Sequence, residues 1–151
     1  MKKVLLLVSL MSISVCAENT STETNALIRN TTGAKNVAMG DSAMKSNTTG
    51  LNNSALGYSS LRNNTSGKQN SAVGSYALWY NTTGNDNTAL GFESLKYNTT
   101  GSNNTAIGNQ SMKANTTGGF NTAIGDGAQL ANSTESYNVS NGSTLNCTNR
   151  W

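Results

Sequence analysis

From residue 30 onward, apolar positions come as short pairs and triplets that recur every 17 residues between stretches of Asn, Thr, Ser and Gly. The glycine closing each NTTG-like element falls at Gly33, Gly50, Gly67, Gly84, Gly101 and Gly118. The glycine closing each alanine-aliphatic-glycine triplet falls at Gly40, Gly57, Gly74, Gly91, Gly108 and Gly125. Neither series contains an insertion or a deletion. The unit reads N-T-T-G-x-x-N-[S/T]-A-aliphatic-G-x-x-[A/S]-[L/M]-x-x, with Val37 replacing the hydroxyl residue in the first copy, and six copies fill residues 30–131. Asparagine at the seventh place (Asn36, Asn53, Asn70, Asn87, Asn104, Asn121) and alanine at the ninth (Ala38, Ala55, Ala72, Ala89, Ala106, Ala123) do not vary between copies.

A period of 17 is too short for a pair of helices, which needs about 33 residues or more. The unit's Gly, Asn and β-branched Thr favour turns and strands. The pattern therefore predicts an all-β parallel solenoid with one copy per coil and two short strands in each, at N-[S/T]-A-aliphatic-G and at [A/S]-[L/M]. Coils stacked at about 4.8 Å make six copies a rod of roughly 29 Å. Each repeat position then becomes a column. Position 10 supplies Met39, Leu56, Val73, Leu90, Ile107 and Ile124; position 15 supplies Met44, Leu61, Leu78, Leu95 and Met112, before Gln129 breaks the run and Leu130 follows. Position 10 lines either the coil interior or an axis shared between chains. The asparagines of position 7 predict a side-chain amide ladder or an Asx turn, and the glycines predict positive φ where the coil bends. These are structural roles. Two aliphatic columns make a thin core for a free monomer, and self-association would supply the missing burial.

The ends depart from the pattern. Residues 1–17 read as a signal peptide: Lys2 and Lys3, an apolar stretch from Val4 to Val15, and the small-residue site Val15-Cys16-Ala17. That stretch is shorter than the ~20 residues needed to span a bilayer, so the expected fate is export with no integral membrane anchor in the mature chain. Acylation at Cys16 is the alternative. Residues 18–29 are expected to cap the first coil, since Ala26-Leu27 precede Ala43-Met44 by one period, and residues 132–151 form a degenerate C-terminal cap and tail. Loss of Lys2 and Lys3 lowers the formal charge from +3 to +1 and leaves Cys147 as the one cysteine. No intrachain disulfide is then available, and nothing in the charge points to nucleic acid.

The segments NTALGFESL (87–95), NTAIGNQSM (104–112) and NTAIGDGA (121–128) resemble the head repeats of trimeric autotransporter adhesins of the YadA type, and similar repeats occur in trimeric phage tail fibres. The resemblance covers residues 30–131. It implies a left-handed parallel β-roll, three chains packed side by side as a homotrimer, and display at a cell or particle surface, with attachment to extracellular-matrix proteins or host glycans. It implies no catalytic residue. The chain departs from the family in its longer repeat, and in lacking a heptad stalk and a C-terminal run of barrel strands.

The chain has no histidine, which excludes Ser-His-Asp triads, Cys-His pairs and ordinary zinc sites. Asp41 and Asp126 share position 12 five coils apart, about 24 Å, too far to act as a carboxylate pair. No enzyme, metal or cofactor is expected. The informative variable column is position 16, with Lys45, Arg62, Trp79, Lys96 and Lys113. These cations form either a solvated edge or a strip for anionic sugars, with Trp79 available for stacking. Tyr80 and Tyr97 stand beside them at position 17, Tyr58 and Phe92 share position 12, and with Tyr76 they make coils 3 and 4 the candidate contact patch. The NTT and NTS triplets match the N-glycosylation acceptor but read as turn chemistry. A second functional class remains open: ranks of Thr at positions 2 and 3 suit an ice-binding solenoid, although adjacent residues of a strand face opposite ways.

Overall fold

A computed structural model describes residues 19–131 and 133–142; the expected signal segment, Cys16 and Cys147 lie outside the described residues. The fold is a parallel β-solenoid, with no helix among the described residues. Its strands are β1 (Thr20–Ser21), β2 (Val37–Met39), β3 (Ser54–Leu56), β4 (Ser71–Val73), β5 (Thr88–Leu90), β6 (Thr105–Ile107), β7 (Thr122–Ile124) and β8 (Val139–Asn141). They stack in sequence order as one sheet. Each pairs with the next in parallel at an offset of one period, as in Ser54↔Ser71, Ala55↔Ala72 and Leu56↔Val73, so every repeat position is a column. The stack runs one rung beyond the repeats at each end. At the N-terminus Asn19-Thr20-Ser21 continues the phase of Asn36-Val37-Ala38, giving a strand and not only the half-coil expected from Ala26-Leu27.

One strand forms per coil, not two. The [A/S]-[L/M] segment is a turn, because positions 13 and 15 adopt left-handed backbone: φ is 55° and 49° at Ser59 and Leu61, 61° and 51° at Tyr76 and Leu78. Two such residues so close together cannot be extended. The segment still bonds to its neighbour coil, with Leu61 N–H donating to Ala77 O at 2.9 Å and Leu78 N–H to Ser94 O at 3.0 Å. Glycine has two roles. At position 11 it provides the positive φ expected of a bend, 129° at Gly57. At position 4 the constraint is space: a Cβ on Gly67 would lie 2.3 Å from Asn64 Oδ1 and 2.5 Å from Gly84 O.

The core is built from Ala at position 9, small residues at position 14 and the Leu/Met column of position 15. Two amide ladders flank it. At position 7, Asn70 Nδ2 donates to Asn53 Oδ1 at 3.1 Å and to Gly84 O at 2.9 Å, while the same Oδ1 accepts the Asn70 backbone N–H at 2.9 Å. At position 1, Asn81 Nδ2 donates to Asn64 Oδ1 at 2.9 Å and to the same Gly84 carbonyl at 3.0 Å. Amides taken wholly out of water are tolerable because each Nδ2 is bonded within its own coil or to a neighbouring one; Asn115 Oδ1, at the end of the position-1 ladder, is the one ladder oxygen buried without a partner among the described residues. The second ladder was not foreseen. It also removes the asparagines of the NTT triplets from glycosylation in the folded chain, since Nδ2 of Asn47, Asn64, Asn81, Asn98 and Asn115 is buried and doubly bonded.

Position 10 does not line the coil interior. Alternation within the strand turns Ala inward and both neighbours outward, leaving Met39, Leu56, Val73, Leu90 and Ile124 between 37% and 47% exposed beside the hydroxyl column of position 8. The interior therefore holds one aliphatic column, not two.

Candidate functional site

Of the rings of coils 2–4, Tyr58, Tyr80, Phe92 and Tyr97 are exposed, and Tyr76 and Trp79 are half-buried between them. Positions 12 and 13 follow the position-11 glycine bend, and positions 16 and 17 follow the left-handed residue of position 15; positions 12, 16 and 17 reach the surface, while position 13 is buried at Ser42, Ser59 and Glu93 and half-buried at Tyr76. Because coils stack in register, six aromatic residues from three coils form one connected cluster. Tyr76 meets Tyr58 and Phe92 edge-on, with centroids 5.3 Å and 6.3 Å away. It also lies 5.1 Å from Trp79, which lies 4.6 Å from Tyr80. Tyr80 and Tyr97, one rung apart, stack at 5.5 Å with planes 17° from parallel.

An ionic knot sits beneath these rings. Glu93, at position 13 and only 8% exposed, accepts from Lys96 Nζ at 2.6 Å through Oε1 and pairs with Lys113 Nζ at 2.7 Å through Oε2. Gln110 Nε2 donates to Oε2 at 3.2 Å. The Lys96 ammonium also lies 5.1 Å from the Trp79 ring centroid and 5.4 Å from those of Tyr76 and Tyr97, a range favourable for cation–π attraction. Burial works to raise the Glu93 carboxyl, but hydrogen bonds from Lys113 and Lys96, with their charges, hold it below its ordinary value. For Lys96, burial works the other way and is outweighed by the Glu93 hydrogen bond and charge, so its ammonium titrates above its ordinary value.

Of the candidate contact residues, the fold brings Trp79, Tyr80, Lys96, Tyr97 and Lys113 together. Lys45 and Arg62 stand on earlier rungs and form no ion pair among the described residues. The position-16 cations are thus not four free charges, since Glu93 neutralises part of the pair on coils 4 and 5. Sequence reasoning missed Glu93, although its spacing was legible: it precedes Lys96 by three residues and is the one acid at position 13.

A second feature lies on the NTTG edge, where Thr49, Ser66, Lys68, Gln69, Thr83, Asn85 and Asp86 line an open polar groove of about 480 Å³. Position-2 threonines nearby are committed to the stack, as in Thr65 Oγ1 donating to Thr82 O and Thr82 Oγ1 to Thr99 O, each at 3.0 Å. The described residues contain no group of three Cys, Asp or Glu able to hold a metal ion, and no helix long and apolar enough to cross a membrane.

The architecture defines a class, the parallel β-solenoid repeat proteins, with an aromatic and ionic cluster on three adjacent coils. No protein-family model, curated protein or solved structure matches the chain.

Proposed function

We propose that this protein is an exported, non-enzymatic adhesive rod that acts as a homotrimer at a cell surface and attaches to matrix proteins or glycans through the cluster on coils 2–4. The observation that carries the reading is a break in repetition. Apart from Gln129 in the last coil, positions that build the rod are filled by the same residue types in each coil, whereas the rings at positions 12, 13, 16 and 17 are confined to Tyr58, Tyr76, Trp79, Tyr80, Phe92 and Tyr97. Packing requirements are the same in each coil, so a feature present in three adjacent coils answers to something outside the rod.

Trimer formation has separate support. The aliphatic column of position 10 runs half-exposed along the sheet face through the repeats, and a continuous apolar stripe of this kind marks an association surface. Three chains meeting along it would bury what the single interior column leaves uncovered. A trimeric fibre component of a virus or phage would use the same surfaces. The ice-binding alternative is weakened, because position-2 hydroxyls donate to carbonyls of the neighbouring coil and the position-3 hydroxyls stand beside Lys68 and Asp86.

The test is binding of the purified chain to an array of matrix proteins, glycans and whole cells, with molar mass measured by light scattering. A trimer that binds, and loses binding in Tyr97→Ala, supports the proposal. A monomer that binds nothing on the array removes it.

A further inference from the structure

We infer that the aromatic cluster of coils 2–4 recognises an uncharged oligosaccharide by stacking, and not an anionic one by charge. This inference rests on the adhesive reading and specifies its ligand. The sequence alone leaves an anionic strip open beside a solvated edge, since position 16 carries four cations around Trp79. The geometry engages the two on the C-terminal side of Trp79: Glu93 pairs with both Lys96 and Lys113, at 2.6 Å and 2.7 Å, so the three groups together keep one positive charge and not two. A sulfated or carboxylated sugar over coils 3 and 4 would compete with a carboxylate already seated, and both partners would need to be resolvated.

A cationic ligand is disfavoured for a related reason. The position that a quaternary ammonium would occupy among Tyr76, Trp79 and Tyr97 is held by Lys96 Nζ, within 5.4 Å of all three ring centroids. With both charged classes opposed, the ring surfaces of Tyr58, Tyr80, Phe92 and Tyr97 and the hydroxyls of the three tyrosines remain, on residues 39% to 48% exposed. A pyranose complements such a surface, because its axial C–H groups pack on a ring face while its hydroxyls reach phenol and amide groups at the rim.

Size separates a sugar from a protein partner. At roughly 200 Å² per ring side chain, the exposed parts of these four residues amount to about 350 Å². A stable protein interface takes about 800 Å² from each side. Rungs at about 4.8 Å spread the cluster over roughly 10 Å, the length of two or three sugar residues.

The test is calorimetric titration of the full chain with cellotetraose and chitotetraose as neutral probes, heparin tetrasaccharide as the anionic probe and tetramethylammonium as the cationic one. The expected result is neutral binding that weakens by about threefold to tenfold in Tyr97→Ala, on the scale of one lost ring contact. Tyr97→Phe should retain most of it. Raising salt from about 50 mM to about 500 mM should change the neutral affinity by less than about twofold. Thermal melts of both variants check that the rod is intact, since Tyr97 lies outside the core. Binding of heparin alone, lost in Arg62→Ala and at high salt, overturns the inference, as does neutral binding that Tyr97→Ala leaves unchanged. If a matrix protein binds and no sugar does, the inference falls while the adhesive reading stands. If no ligand of any class binds, both fall.

Discussion

Two aliphatic columns run the length of this rod, and they have opposite fates. Position 15 is wholly buried at Met44, Leu61, Leu78, Leu95 and Met112, whereas position 10 is half-exposed at Leu56, Val73 and Leu90. Hydropathy does not separate them. Backbone conformation does, and it leaves a trace in side-chain shape. Position 15 sits at φ between 48° and 51° in Met44, Leu61, Leu78, Leu95 and Met112, where a β-branched residue is strongly disfavoured. Every residue there is unbranched at Cβ, while position 10, in extended strand, includes Val73, Ile107 and Ile124. In a solenoid, absence of β-branching from an aliphatic column marks the inward turn.

Truncation gives the largest contrast. Leu78→Ala removes a fully buried side chain from the middle of the interior and should destabilise the rod by about 2–5 kcal/mol, because neighbouring coils cannot collapse into the space. The coil would then also uncouple the rungs above and below it. Leu90→Ala on the outer face should cost the isolated chain less than about 0.5 kcal/mol, the usual range for a surface change. Denaturant midpoints of the two variants measure both. If the proposed trimer forms, Leu90→Asp should reduce its molar mass in light scattering without lowering the stability of the monomer.

The amide ladders come next in size. Asn70→Ala leaves the backbone N–H of Asn87 without its Oδ1 partner and the Gly84 carbonyl with one donor fewer, for an expected cost of about 1–3 kcal/mol. Ser71→Ala, exposed at position 8 of coil 3 beside Asn70 and in extended strand, is the matched outer substitution and should be nearly silent in the same melt.

A change of shape at constant volume tests the αL explanation directly. Leu78→Ile should cost about 1 kcal/mol or more, since a β-branched side chain must adopt left-handed backbone. Leu90→Ile should be neutral or slightly stabilising in extended strand. Equal costs at the two positions would show that burial alone, and not backbone conformation, distinguishes the columns.

The period, the parallel stacking, the position-7 ladder and the role of position 15 in the core were all legible in the sequence, because each is a property of a recurring column. The second strand was misread because [A/S]-[L/M] resembles strand sequence, and only the φ values at Leu61 and Leu78 show it to be a turn. The position-1 ladder was obscured by its match to a glycosylation triplet. At the candidate site the rings were found from their departure from the repeat. Their ionic partner was not, because Glu93 stands in a column where other coils place Ser, Tyr, Gln or Gly, and a residue with no counterpart gives no columnar signal.

The smallest effect lies at the rim between inside and outside, where Glu93 is mostly covered and its two lysines are partly in water. Its carboxyl titrates below its ordinary value in the folded chain, so the unfolded chain binds a proton there at higher pH than the folded one. The pairing therefore stabilises the rod fully above the unfolded carboxyl value, about 4.3, and the contribution fades as pH falls through the lower folded value. Lys96 has the opposite sign: its raised value contributes below the unfolded lysine value and is lost as pH rises through the folded one. Melting temperatures of the native chain and Glu93→Gln should differ across the neutral range and converge in acid, as the native chain loses what the variant never had. At high pH they should converge again when Lys96 discharges. A difference that persisted unchanged into acid would assign the effect of Glu93 to packing against Tyr76 and Gln110, and would leave the cations of coils 4 and 5 free to meet an anionic ligand.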